Sequence, residues 1–484
     1  MAFNNNAKII RRELLKRLSK IQLDDKVHTE IDRIPLKMRP KKGGHVRCCT
    51  YRDRAVIKYR IMAMLGFEGD KEEDELYPLS AYFDDAMGHP NTQSPILTVV
   101  DEACSSCIKN NYVVTNMCQG CVGRACMVNC PKGAVDFHGN HAKINPEKCV
   151  NCGLCQKACQ FHAIIYAPVP CEDVCPVGAI QKDEYGIEKI NMDDCILCGK
   201  CLEACPFGAI VEKSHLFDVI REIKTDHQVI AMVAPSIAGQ FRDSMGKILG
   251  GVKALGFDKV VEVATGADIT AKNEAGEFRA KIEEGRSMTT SCCPSYVNLI
   301  KKHSPDMSGF VSTTLTPMEY TAIELRKTNP DARLVFIGPC VAKKGEAMES
   351  GNVDYVINYE EFGTWLIAAG IEISECGPYS LEDGVSAEAR FFAKAGGVGA
   401  AVAAHLPDVT FETIQIDGID KTFLRKLKAE LKNPAPRLVE VMSCENGCVG
   451  GCSSINNSKV AINLLNKFVE SEKKKCHSEK QPAL

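Results

Sequence analysis

The sequence predicts an α/β domain of two lobes, with parallel sheets and a cleft, preceded by a cysteine-dense α+β region and a helical N-terminal segment. Three observations carry this expectation. Beyond residue 215, short β-branched runs alternate with helical stretches, the pattern of parallel strands covered by crossover helices. Sixteen of the 26 cysteines fall between Cys104 and Cys205. Before residue 100, apolar residues recur at helical spacing.

Taken in order, the chain divides at about 1–100, 101–215, 216–460 and 461–484. In the first part Ile9, Ile10, Leu14, Leu15, Leu18 and Ile21 fall on one helical face, with Lys and Arg between them. A second run, Ala55 to Gly66, reads as a buried helix ending on a glycine cap. Cys48 and Cys49 have no CxxC partner and read as structural thiols. This part is expected to dock on or cover the rest. Past Ser214-His215, the runs Val229–Ala234, Val260–Val263, Leu334–Ile337 and Leu438–Met442 read as strands, and Met245–Leu255 and Met318–Arg326 as helices between them. Pro235-Ser236, Pro339-Cys340 and Ser443-Cys444 each sit just past such a run. Ligands of parallel sheets bind at the carboxyl ends of strands, so these motifs should meet in one cleft. A helix is expected after about residue 457, with the tail KKKCHSEKQPAL disordered.

Composition narrows the function. A formal net charge of -3 argues against a nucleic-acid polyanion as main partner. No apolar run reaches the length of a membrane span. The opening MAFNNNAKIIRRELLKRL is polar and basic with no secretory core, so a cytoplasmic protein is expected. Cysteines this dense, without an export signal, read as metal ligands rather than disulfides.

Their spacing is specific. Cys118-x2-Cys121-x4-Cys126-x3-Cys130-Pro131 is followed by Cys149-x2-Cys152-x2-Cys155-x3-Cys159, then Cys171-x3-Cys175-Pro176, then Cys195-x2-Cys198-x2-Cys201-x3-Cys205-Pro206. Three cysteines in a tight loop reach three irons of one 4Fe–4S cubane, and the fourth points to a neighbouring cluster. Zinc sites also use CxxC pairs, but do not repeat this pattern of bacterial ferredoxins with its closing Cys-Pro. Crossed pairing gives Cys118, Cys121, Cys126 with Cys159; Cys149, Cys152, Cys155 with Cys130; and Cys195, Cys198, Cys201 with Cys175. Cys104, Cys107, Cys171 and Cys205 would complete a fourth cluster. The alternative is three clusters with spare thiols. The arrangement is similar to the four-cluster electron-transfer subunits of molybdenum oxidoreductases.

Three more cysteine sites lie in the α/β part: Thr290-Ser291-Cys292-Cys293-Pro294, Gly338-Pro339-Cys340-Val341-Ala342-Lys343-Lys344, and Met442-Ser443-Cys444-Glu445-Asn446-Gly447-Cys448. In this order, over roughly residues 180 to 460, they resemble the active-site signatures of the FeFe-hydrogenases. The resemblance implies an H-cluster: a 4Fe–4S cubane joined through one cysteine sulfur to a two-iron unit with CO, cyanide and a dithiolate amine. It implies Cys448 as the bridging thiolate, and Cys293, Cys340 and Cys444 as the other cubane ligands. Lys343 and Ser236, with the backbone after Pro235, would hold the cyanides. Met442 would pack near the bridging CO, and Gly397 and Phe392 would belong to a further pocket loop. Protons would pass from Cys292 to Glu277, then Ser312, then Glu274, with Lys281 where the family often has Arg.

The resemblance further implies H2 and protons as reactants, a ferredoxin-like electron carrier and dedicated maturases. Three positions depart from the family pattern. Cys-Cys-Pro-Gly-Trp reads Cys292-Cys293-Pro294-Ser295-Tyr296, Met-Pro-Cys reads Gly338-Pro339-Cys340, and a glycine triplet reads Gly450-Gly451-Cys452. They suggest a divergent subgroup with altered catalytic bias or oxygen tolerance, and Cys452 reads as a packing residue or a redox-protective thiol. Other readings compete. A non-catalytic iron–sulfur assembly protein would lack Cys292 and the two-iron unit. A hydrogen sensor would usually carry a PAS-like module, and none is visible after Asn457. An electron-transfer subunit would leave the C-terminal motifs unused.

Overall fold

The computed structural model describes residues 5–72, 74–88, 95–104, 107, 111–380 and 384–479, side chains at 70 and 474–479 excepted. The helix Asn6–Leu23 buries Leu14, Leu15 and Leu18, and the helix Thr50–Leu65 ends on Gly66 in the left-handed region (φ 98°). The segment before residue 100 is not a separate cover, however. Leu97–Val99 pairs antiparallel with Ile210–Glu212, and the Arg60 guanidinium donates to the carbonyls of Phe207 at 2.6 Å and Gly208 at 3.1 Å. The expected break near residue 100 therefore crosses one continuous unit. The first helix also reaches the α/β part, where Arg12 pairs with buried Glu360 at 2.9 Å.

The cysteine-rich part is built from one turn used four times: Cys130-Pro-Lys-Gly-Ala, Cys159-Gln-Phe-His-Ala, Cys175-Pro-Val-Gly-Ala and Cys205-Pro-Phe-Gly-Ala. The fourth residue of each is left-handed, at φ 54° for Gly133, 50° for His162, 69° for Gly178 and 58° for Gly208, which is why glycine recurs there. The alanine N–H then points back at the cysteine sulfur, from Ala134 to Cys130 at 3.2 Å, Ala179 to Cys175 at 3.3 Å and Ala209 to Cys205 at 3.4 Å. Each turn leads into a short antiparallel ladder, such as Val135–His138 with His141–Ile144 and Ile180–Lys182 with Glu188–Ile190.

Two parallel sheets follow. One orders Lys259–Glu262, Val229–Val233, Arg333–Ile337 and Tyr355–Ile357; the other orders Met288–Thr289, Arg437–Met442 and Glu412–Asp417. Val229–Val233 is buried at every residue, so it reads as an unbroken apolar run. Three strands escape the sequence pattern for physical reasons. Met288–Thr289 and Tyr355–Ile357 are too short to show a period, and Glu412–Asp417 is a half-exposed edge strand of alternating polarity. The helix expected after residue 457 is present and runs further than expected. It spans Ser458–Glu479, and Ala461, Leu465 and Val469 are fully buried. Its fit against the turn Pro235–Gly239 is close enough that a Cβ on Gly239 would lie 2.8 Å from that of Ala461. The expected tail is thus helical as far as residue 479, and residues 480–484 lie outside those described.

A buried ion cluster ties the cysteine-rich part to the α/β part. Lys344 pairs with Glu212 at 2.6 Å and Glu361 at 3.5 Å, and donates to the Lys213 carbonyl at 2.7 Å. Among the described residues no helix is long and apolar enough to cross a membrane.

Candidate metal centre

The structure brings several of the clustered cysteines together. Cys130 shares a cavity of about 340 Å³ with Cys149, Cys152 and Cys155. Cys175 shares another of about 340 Å³ with Cys195, Cys198 and Cys201. Cys126 lies close enough to Cys159 and Cys121 that their charges, added to burial, push its thiol up. Cys171 is driven to about 12 by burial, then by Glu188, Cys205, Cys107 and Cys104. Cys104 and Cys107 thus lie near Cys171 and Cys205 although far from Cys171 in sequence.

A larger cavity, of about 880 Å³, opens where the two parallel sheets end. Pro235, Ser236 and Cys340 reach it from the carboxyl ends of the first sheet, and Cys292, Cys293, Met442 and Cys444 from those of the second. Cys448, Lys343 and Phe392 complete the wall, together with Cys198 of the neighbouring cradle. Burial lifts the Cys340 and Cys444 thiols well above their ordinary range, and repulsion from the other cysteines adds to it. By themselves four such thiols would be neutral; a cationic iron core is what keeps buried thiolates charged. Among the described residues no three His, Cys, Asp or Glu side chains converge tightly enough to hold one metal ion. A cubane spreads its ligands more widely, so the donor set fits a cluster rather than zinc.

Lys343 points at this cavity. Its Nζ donates to Thr316 Oγ1 at 2.9 Å and pairs with Glu346 at 2.6 Å. Burial works against its charge, but Glu346, with Cys340 and Glu319, more than offsets that and holds the ammonium above the ordinary lysine range. The Ser236 hydroxyl is shared with Tyr359 OH. Gly397 does not line the cavity. Its missing Cβ leaves room for the Phe391 carbonyl, 1.8 Å from where that carbon would stand, so it packs the loop that carries Phe392.

On the proton side the structure reverses the expected order. Glu274, not Glu277, sits beside Cys292. Burial drives the Cys292 thiol well above its ordinary range, and the foremost charge acting on it is that of Glu274. Glu274 is fully buried; its Oε1 accepts from Ser291 N at 2.9 Å and Ser291 Oγ at 3.1 Å, while Oε2 has no hydrogen-bond partner. Burial raises this carboxyl to about 7. Glu277 lies outside it, accepting from Ser312 Oγ at 2.8 Å and Thr313 N at 2.9 Å. Ser291, Ser312 and Thr314 line a second cavity of about 790 Å³. Lys281 donates to the Gly309 carbonyl at 3.2 Å rather than to either glutamate. Cys48 and Cys49 also depart from expectation. Cys48 is exposed, and the Cys49 sulfur caps the helix after it by accepting from Arg52 N at 3.4 Å.

Comparison with known proteins agrees with this geometry. Residues 227–452 match the family described as iron only hydrogenase large subunit, C-terminal domain. Residues 142–165 match a 4Fe-4S binding domain, and residues 165–216 the LdpA Fe-S cluster-binding domain. Over residues 227–452 the chain is thus similar to the FeFe-hydrogenases. It is 27% identical over 302 residues to Iron hydrogenase 1 of Clostridium pasteurianum, covering 50% of this chain and 52% of that one. It is 24% identical over 185 residues to a cytosolic Fe-S cluster assembly factor of Encephalitozoon cuniculi, covering 34% and 51%. The chain spans about half the length of these relatives. A solved FeFe-hydrogenase of Chlamydomonas reinhardtii aligns at 18% identity and a TM-score of 0.42, covering 52% of this chain and 88% of that one.

Where the chain departs from the FeFe-hydrogenase pattern, the structure gives each departure a neighbour. A Cβ on Gly338 would come within 2.4 Å of the Phe336 ring, which lines the cavity in its place. Tyr296 is buried and donates to Thr289 Oγ1 at 2.8 Å. Sequence reasoning missed Glu346, Thr316 and Glu440. The Glu440 carboxylate accepts from Gly396 N and Gly399 N, both at 2.7 Å, and burial raises it to about 7. A carboxylate inside the apolar strand run Leu438–Met442 was the available signal, since an acidic residue is almost never fully buried unless paired.

Proposed function

We propose that this chain interconverts H2 with protons and electrons at an H-cluster held by Cys293, Cys340, Cys444 and Cys448. About four accessory cubanes would pass the electrons to a ferredoxin-type carrier in the cytoplasm. The observation that carries this reading is the meeting, in one buried cavity, of four thiols, one ammonium and a further thiol that the cubane does not require. The bound cofactor would supply the iron at which H2 is made or split. Lys343, kept charged by Glu346, offers a point charge suited to a cyanide nitrogen. Met442 and Phe392 keep water from that side. Cys292 is a neutral thiol next to a carboxyl that titrates near neutrality, so each can hold a proton at pH 7. Glu274 Oε2 is free to take a proton, and its partner Ser291 lies on the second cavity with Thr314 and Ser312, both of which donate to Glu277. On the electron side Cys198 shares the cavity wall, which makes its cradle the nearest accessory site.

The likeness to a cluster assembly factor supports a second reading, a non-catalytic scaffold; Cys292 and Lys343 in the cavity favour the first. Infrared spectroscopy on protein co-expressed with FeFe-hydrogenase maturases separates the two. CO and cyanide stretches are expected. A preparation that holds cubanes but never shows those bands would leave the scaffold as the better account.

A further inference from the structure

One buried thiol belongs to no cradle. Cys452 is 6% exposed and lines the large cavity between Cys340 and Cys444 on one side and Cys198 on the other. Each flanking cradle has its four cysteines without it. Its sulfur instead holds the chain beside a ligand. It donates to the Pro339 carbonyl at 3.6 Å, gripping the chain immediately before Cys340. Opposite lies Gly199, the residue after Cys198. A Cβ there would come within 2.5 Å of the Cys452 sulfur and 3.2 Å of Val341 Cγ2. Gly199 is also left-handed, at φ 72°, so backbone conformation and the thiol both call for glycine. The thiol is therefore the packed wall shared by two cluster sites.

We propose that Cys452 is a positioning residue that fixes the Cys340 loop against the Cys198 loop. It thereby sets the spacing of the accessory and active-site cubanes and the reduction potential of the latter. The inference rests on the functional reading only in taking both loops to hold cubanes. Potential depends on the hydrogen bonds and solvent around cluster sulfurs, and the Pro339 carbonyl that Cys452 holds immediately precedes ligand Cys340. Electron transfer falls steeply with separation, so a loop freed by a few tenths of an ångström changes the coupling as well.

The test uses the full chain loaded with cubanes in the absence of maturases. Cys452→Ala removes the hydrogen bond to the Pro339 carbonyl, whereas Cys452→Ser keeps a donor in place. The alanine variant should match the parent in iron and sulfide. The reduced-to-oxidised ratio of its active-site cubane at fixed poise should change by about threefold or more. The magnetic splitting between the two reduced cubanes in electron paramagnetic resonance should also change. Serine should restore most of both. An alanine variant with the parent's ratio and splitting overturns the proposal, as does one that loses a cubane, since Cys452 would then be a ligand. A shift that serine fails to restore overturns it too, because the hydrogen bond would not be its cause. These readouts need no two-iron unit, so they stand whether or not matured protein shows CO and cyanide bands.

Discussion

Cys292 and Cys293 are neighbours in the chain and have different surroundings. The Cys293 sulfur accepts from Ser443 N at 3.4 Å, whereas Cys292 faces the Glu274 carboxylate. Cys292→Ala should therefore keep its iron and lose turnover by about 10²–10⁴-fold or more, with Cys292→Asp recovering part; iron analysis beside hydrogen-evolution assays decides. Loss of the cubane would reverse the two roles. Glu274 has a pH signature of its own. Its folded pKa, about 7, lies above the ordinary 4.5, so between those values the native state binds more protons than the unfolded chain. Stability from this group is accordingly lost as pH rises through that window. Glu274→Gln should shrink the fall in unfolding free energy between about pH 5 and pH 8 by about 3 kcal/mol, read from denaturant titrations. Glu440, also raised to about 7, will keep a residual slope.

At the scale of elements, the site depends on loops held at both ends. The turn Lys394–Gly399 is clamped by Glu440 below and by the Cys444–Cys448 loop above, where Ala395 N donates to Asn446 O at 3.1 Å. Gly447 is left-handed, at φ 82°, and a Cβ there would come within 2.6 Å of Ala395 N. Gly447→Ala should push the two loops apart and lower iron occupancy at Cys444 and Cys448 without touching the accessory clusters, a difference visible in iron content per chain. Glu440→Ala leaves two backbone donors unpaired, each at a cost of about 1–3 kcal/mol, and should lower the thermal midpoint. The strands carrying these loops were legible in the sequence wherever they were long and buried on both faces, as at Val229–Val233 and Arg437–Met442. The clamp was not, because a glutamate two positions before Met442 shows its partners only once the turn folds back on it.

Across the whole molecule, adjacent lysines serve different joints. Lys343 faces the cavity, and Lys344 holds the cysteine-rich part to the α/β part through Glu212 and Glu361. Lys344→Ala strands two carboxylates in a buried interface, a loss of about 3–5 kcal/mol. Limited proteolysis around residues 213–216 should accelerate together with a lower denaturation midpoint. Unchanged protease resistance would mean that other contacts, such as Arg12 with Glu360, suffice to hold the parts together.

Cysteine spacing by itself singled out the iron–sulfur motifs, because a cubane's corners are reached only from a tight loop and a turn at a fixed offset. The apolar runs determined the strands, and the residues after them determined which motifs meet at the carboxyl ends. Only the tertiary structure decided the rest. Glu274 and Glu277 lie on one helical face, three residues apart, and which is nearer Cys292 depends on how the helix Ala264–Glu283 docks. Lys343 and Lys344 are equivalent in sequence until the helix they begin is set against its neighbours. Cys452 meets Gly199 from the far end of the chain, a contact that no local pattern encodes, since packing between distant segments is settled by the shape of the assembled core.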